Sequence, residues 1–365
     1  MKTIILKRKI NIHLQIGIWF VIILACFIVG GVIRDIGILG YTGDYIHALT
    51  YSLTDLNIIT SDNFYIVGKI FRAINLFGFS TIRQWSYFLS VIFFPMMLIR
   101  CRKIKCVNLV QLFFICSFVV YFSACVCNIS KEAIQVLFFY LCELIIFTSY
   151  IKSLLTKCLI VTGLLIGYGV SFRKYFLLSS ILFFGLCYLY IIRKDSVHSS
   201  LVKDIPRFLL IVLVGMLISK IIIPNAYYQI INVRTTLESF YRNANTLIGN
   251  TKMVNIGNQN IQWITNYLLS SIRIMFPIEF ILKGIKYALF AVVQIIFSLY
   301  LFGSYDKSVF WDKEYRMAYF LILSFIIVEL VWQIDLGTMF RHETTIFPLM
   351  ITVFFLREPR TFNQA

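Results

Sequence analysis

Residues 14–33 read LQIGIWFVIILACFIVGGVI, twenty consecutive residues with one amide side chain and no charge. A helix rises about 1.5 Å per residue, so a run of this length matches the roughly 30 Å hydrocarbon core of a bilayer. It is too long, and lacks the small-residue cleavage site, for a removed signal peptide; it reads as a retained first span. The rest of the chain has the same character. Of its 365 residues 59% are hydrophobic and 14% charged, against roughly 45–50% and about 25% in soluble domains. That composition excludes a water-soluble globular enzyme.

Reading between charged boundaries places further spans near 84–99, 107–127, 133–151, 158–171, 175–192, 208–223, 287–303, 317–335 and 344–356, about ten in all. The expected fold is an all-α, polytopic inner-membrane helix bundle, a single integral membrane domain over 1–365. Its orientation follows from the basic residues. Connections 1–13, 100–106, 152–157, 193–207, 304–316 and 357–365 hold 19 of the 34 Lys and Arg in short, dense segments. The positive-inside bias therefore puts both termini in the cytoplasm and the long connections 34–83 and 224–286 outside. The formal charge of +17 is thus largely a topology signal facing anionic lipids, and nucleic acid is not implied as a partner.

Both long outer connections carry amphipathic segments. In 64–79, FYIVGKIFRAINLFGF, Phe64, Val67, Ile70, Phe71, Ile74 and Phe77 share one helical face, with Lys69 and Arg72 displaced from it. Residues 261–282 repeat that pattern around Arg273, with Pro277 expected to kink or end the helix. Between them, 245–260 is rich in Asn and Gly and reads as an exposed loop. The nine cysteines fall mostly in apolar runs without metal-ligand spacing, and read as small apolar residues or free thiols; neither a metal nor another cofactor is implied.

Two spans look too short. Residues 158–171 cover only about 21 Å, so Arg173 and Lys174, in the hairpin SFRKY, are expected at partial membrane depth. The same arithmetic for 344–356 places Arg341, His342 and Glu343 below the outer surface. Ionisable groups at such depth are costly and by default mark a functional cavity. The NISKE connection adds Lys131 and Glu132, GDY adds Asp44, and VRTTLESFYR adds Arg234 and Arg242, two helical turns apart. Arg173, Lys174, Arg234, Arg242, Arg341 and Lys131 together would line a strongly cationic cavity suited to phosphate or pyrophosphate. Asp44, Glu132, His342 and Glu343 are the outer-face candidates for a general base.

Each has a plainer reading. Lys174 and Arg242 also fit cations snorkelling to headgroups. Lys131 and Glu132 also fit a helix start capped by Ser130. Asp44 also fits a turn residue, and His342 a packed histidine. The mid-span Glu143 and Glu329 fit paired or protonated packing groups.

The succession GDYIHALTY, SDNFYIVGKIFRAINLFGFSTIRQWSYFLSVIF, NISKEAIQVLFFYL and SFRKYFLL resembles bacterial polysaccharide polymerases of the Wzy (O-antigen polymerase) and EpsG-like kind. In these a D-Y element and an amphipathic segment follow the first span, and a large periplasmic loop carries spaced arginines. SFRKY departs from the His-containing motif more usual in EpsG-like members, which favours the O-antigen polymerase side. The resemblance implies transfer of glycan from undecaprenyl pyrophosphate to the next lipid-linked repeat unit at the periplasmic face of the bacterial inner membrane. It also implies a chain-length regulator as a partner. Arg173, Arg341 and Arg234 would then bind pyrophosphate, supported by Arg242 and Lys131. A lipid-linked oligosaccharide flippase is the main rival; it would show internal repeats and charges along a cavity through both leaflets, neither of which is seen. An O-antigen ligase or another polyprenyl-phosphate-dependent glycosyltransferase is the second.

Overall fold

The computed structural model describes residues 12–37, 43–54, 63–104, 107–192, 259–305, 312–333 and 335–356, with four isolated positions in between. Every regular element among them is helical. In chain order these are α1 (Ile12–Asp35), α2 (Gly43–Leu53), α3 (Asn63–Ala73), α4 (Ile82–Cys101), α5 (Leu109–Cys125), α6 (Lys131–Phe147), α7 (Leu154–Ser171) and α8 (Phe176–Cys187), which runs on as a π-turn, Tyr188–Ile192. After these come α9 (Gln259–Met275), a 3-10 turn (Ile278–Lys283), α10 (Ile285–Tyr305), α11 (Lys313–Trp332) and α12 (Leu336–Phe355). Among the described residues four helices, at His13–Asp35, Ile82–Cys101, Leu154–Ser171 and Tyr287–Ser304, are long and apolar enough to cross a membrane. The segment 208–223 apart from Ile221, all of 245–258, and Arg234 and Arg242 lie outside the described residues.

The surface of α1 argues for the same environment. Leu14, Ile18, Val21, Ile28 and Val32 recur at helical spacing on its outer face, with Val21 64% exposed. A continuous apolar stripe turned outward is costly in water and natural against lipid. Its inner face, Trp19, Ile23, Cys26, Phe27 and Gly30, is buried or packed. Gly30 permits the close approach of α5: a Cβ there would meet the Val120 carbonyl oxygen at 2.4 Å. Ser123 Oγ donates to the Phe27 carbonyl at 3.0 Å across the same contact.

The chain divides into two compact units, Met1–Phe184 with Arg341–Pro359, and Gly185–Phe340 with Arg360–Ala365. In the first, polar contacts gather alternate helix ends. Arg34 at the end of α1 donates to the Cys127 carbonyl at 3.4 Å, and Ser86 at the start of α4 donates to Asn128 at 2.6 Å. At the opposite end Gln15 donates to the carbonyls of Arg102 and Ile104 at 2.9 and 2.8 Å. Buried aromatic rings fill the interior between, including Phe118 stacked on Phe347 of α12 at 4.8 Å. In the second unit, Ser298 of α10 donates to the Met275 carbonyl at 2.6 Å, and Tyr319 of α11 to the Leu301 carbonyl at 2.8 Å.

Several boundaries differ from those expected. The two short spans are full-length helices. α7 starts at Leu154 because Ser153 caps it and Lys157, taken as a connection residue, is buried with its ammonium on the Ile146 carbonyl at 2.8 Å. α12 starts at Leu336 because Asp335 accepts from the Thr338 backbone N–H at 2.7 Å, so Arg341, His342 and Glu343 lie within the helix. At 18 and 20 residues these helices reach about 27 and 30 Å, so shortness no longer argues for depth. The amphipathic face expected over 64–79 ends with α3 at Ala73, where the Asn75 amide closes a turn onto the Phe79 N–H at 2.7 Å. Phe77 is left 69% exposed. As expected, the second amphipathic helix stops just before Pro277.

Candidate functional site

The first unit gathers five of its ionisable residues from distant parts of the sequence at the end where α6 begins. Ser130 caps α6 by accepting from the Ala133 N–H at 3.3 Å, which fixes the first turn and turns Glu132 inward, 2% exposed. Arg173 lies in the connection 172–175, after the Phe172 N–H closes α7 onto the Tyr168 carbonyl at 2.8 Å. Its Nη2 donates to Glu132 Oε1 at 2.5 Å, and its Nη1 to the Tyr175 hydroxyl at 2.8 Å. Arg341 of α12 brings Nε to 3.5 Å from the same Glu132 oxygen and donates from Nη2 to Asp44 Oδ2, on the first turn of α2, at 3.2 Å. His342 Nε2 stands 3.6 Å from Glu132 Oε1.

One buried carboxylate thus serves two guanidinium groups and an imidazole. Burial opposes the charge on Glu132, but Arg341, Arg173 and His342 outweigh it and hold the carboxyl well below the usual carboxylate range. A carboxylate so engaged is a weak base. Its physical role is to hold Arg173 and Arg341 side by side. Asp44 is the accessible carboxylate, with a side chain 38% exposed. Next to it Tyr45 is buried and donates to the Cys125 carbonyl at 3.1 Å, and burial pushes its phenol up, so it fixes α2 rather than titrating.

The strongly cationic cavity expected from the sequence is corrected in its described part. Arg173 and Arg341 are matched by Glu132 and Asp44, and Lys131 places its ammonium 3.3 Å over the Phe64 ring. Lys174 is exposed, and Glu343 is fully buried in α12. Burying two guanidinium groups without counter-ions is prohibitive, which is why a balanced cluster forms.

Below the cluster, α6 and α12 run parallel and stay in polar register. Gln135 donates to Thr345 Oγ1 at 2.8 Å. Farther along, Thr352 donates to Glu143 Oε1 at 2.6 Å, and Arg100 of α4 to Glu143 Oε2 at 2.7 Å. Glu143 is therefore a paired packing group, as one reading of the sequence had it. Tyr175, Gln135 and Thr345 were not singled out beforehand. Gln135 and Thr345 are polar residues in apolar helices, three and four positions after Glu132 and Arg341, and that spacing was the available signal.

No protein-family model matches the chain, and neither a curated protein nor a solved structure matches it.

Proposed function

We propose that this chain is a multi-pass glycosyltransferase of the bacterial inner membrane, with about ten spans and cytoplasmic termini. It would polymerise oligosaccharide repeat units carried on undecaprenyl pyrophosphate at the outer face. The observation that carries the reading is the pairing of Arg173 and Arg341 through the buried Glu132, with the half-exposed Asp44 also bonded to Arg341. The resemblance of GDY, NISKE and SFRKY to Wzy-type polymerases supports it, since these motifs supply Asp44, Glu132 and Arg173.

The chemistry fits a pyrophosphate leaving group. An acceptor hydroxyl attacks the anomeric carbon of the carrier-linked sugar, the bond from that carbon to the pyrophosphate oxygen breaks, and negative charge develops on the pyrophosphate. Two guanidinium groups held in place beforehand by Glu132 stabilise that charge without reorganising, which is the dominant contribution in such sites. Asp44 takes the proton of the attacking hydroxyl. In the resting site Arg341 Nη2 donates to Asp44 Oδ2; a pyrophosphate that draws Arg341 toward itself releases that oxygen.

The test is Arg341→Ala in a strain deleted for the chain, read as the glycan ladder and the carrier-lipid pool. The expected result is inserted protein with single repeat units in place of long chains. A normal ladder would overturn the assignment of Arg341, and loss of all surface glycan with lipid-linked units retained inside would indicate a flippase.

A further inference from the structure

The acceptor must bring one hydroxyl to Asp44, so its sugar ring has to rest within about one helical turn of that carboxylate. Resting on the reading of Asp44 as the base, we propose that the outward strip of α2, backed by α3, is the track that binds the acceptor glycan. The buried face of α2 is Tyr45, Ala48 and Ser52. Asp44, His47 and Tyr51 share the adjacent strip, with His47 about 4.5 Å and Tyr51 about 10.5 Å along the helix from Asp44.

His47 and Tyr51 are each paired with a ring from α3. The exposed His47 imidazole lies 6.0 Å from the Phe64 ring at an interplanar angle of 31°. Tyr51 meets Tyr65 edge-on at 5.8 Å, and Lys69 holds its ammonium 4.5 Å over the Tyr65 ring. The two helices are held at a fixed spacing by Gly68, where a Cβ would lie 2.4 Å from Tyr51 Cβ. Flat rings flanked by polar groups suit pyranose rings, whose C–H faces stack on an aromatic surface while their hydroxyls meet donors at the edge. His47 offers both a ring and an N–H, and it stands where the ring bearing the reacting hydroxyl must lie. Tyr51 and Tyr65, one turn farther on, would carry the next sugar.

The experiment uses the full chain in lipid nanodiscs. The first probe is the lipid-free oligosaccharide released by mild acid hydrolysis from the host strain's own surface polysaccharide, the second undecaprenyl pyrophosphate alone. The oligosaccharide is expected to bind the wild-type protein, about tenfold more weakly after His47→Ala and within about threefold of wild type after His47→Phe, which keeps the ring. Undecaprenyl pyrophosphate is expected to bind all three proteins alike. Equal oligosaccharide affinity in all three would overturn the track and leave these rings as a membrane-interface belt. Carrier binding without oligosaccharide binding would overturn the track while the pyrophosphate reading stands. Oligosaccharide binding lost on His47→Ala but with no carrier binding would support the track and overturn the pyrophosphate reading.

Discussion

Glu132→Gln is the substitution that asks most of the site. It keeps the volume and shape of the side chain and removes one charge, leaving Arg173 and Arg341, 9% and 13% exposed, without the carboxylate they share. At that degree of burial water screens the exposed guanidinium groups little, so the applicable magnitude is that of breaking a buried pair, about 3–5 kcal/mol. For a cooperative unit of about 200 residues, each kcal/mol lowers the melting midpoint by about 2–4 °C, so the expected drop is about 6–20 °C. The assay is thermal unfolding of the purified protein in detergent, followed by near-UV circular dichroism. A double-mutant cycle with Arg173→Met separates the charge effect from shape. Removing both partners should restore at least half of the loss, because the double variant again carries a single guanidinium, opposite Asp44. If Glu132→Gln melts within 2 °C of wild type, or if the two single losses simply add, the carboxylate is not the shared counter-ion described here.

The acid dependence follows from the same residue. Its folded carboxyl is held below the ordinary range, so its contribution is fully present above the unfolded value of about 4.3 and declines as the pH falls below that. The melting gap between wild type and Glu132→Gln is therefore expected to be constant from pH 7 to 5 and to narrow toward pH 3; a gap that widens in acid contradicts the ion pairing. Elsewhere in the first unit, Gly30→Ala drives a methyl group against the Val120 carbonyl and Ser123 Cβ, and is expected to cost about 1–3 kcal/mol. A Gly30→Ala protein as stable to heat as wild type would mean that α1 and α5 are not packed as closely as described.

The helices were legible and the places where they begin were not. The apolar runs of α1, α4 and α5 are found where hydropathy puts them, because their charges, Arg34 and Asp35 in α1 and Arg83 and Arg100 in α4, do lie at the helix ends. The errors came from treating a charge as a boundary. Lys157 interrupts an apolar run yet sits inside α7, because its ammonium has a carbonyl of α6 to bond. Arg341 and His342 interrupt another yet sit inside α12, because Glu132 and Asp44 face them. Whether a charge ends a membrane helix depends on a partner that hydropathy does not encode. Arg173 and Arg341 stood out in the sequence because their spans looked too short, a premise that the 18- and 20-residue helices remove; their partners are what mark them in the structure. Asp44, Glu132, Arg173 and Arg341 were each singled out separately, but the pairing among them is a tertiary fact spread over nearly 300 positions.

That pairing also changes what the site can do before substrate arrives. A cavity lined only by cations would repel itself and hold its arginines apart, whereas a carboxylate between two guanidinium groups keeps them close at little net charge. On the proposed function, the pyrophosphate of a carrier lipid would bring several oxygens to compete for the same N–H donors. Arg173 also donates to the Tyr175 hydroxyl, and Arg341 reaches the half-exposed Asp44; these two outer contacts are neutral or solvent-accessible and are the ones a ligand can displace. The inner contacts to Glu132 are the shielded ones and hold the guanidinium groups in place. The arrangement therefore divides each arginine between a shielded bond that positions it and an accessible bond that the proposed ligand would replace. On the proposed function, the exchange at Arg341 would uncover the Asp44 oxygen that the guanidinium holds in the resting site.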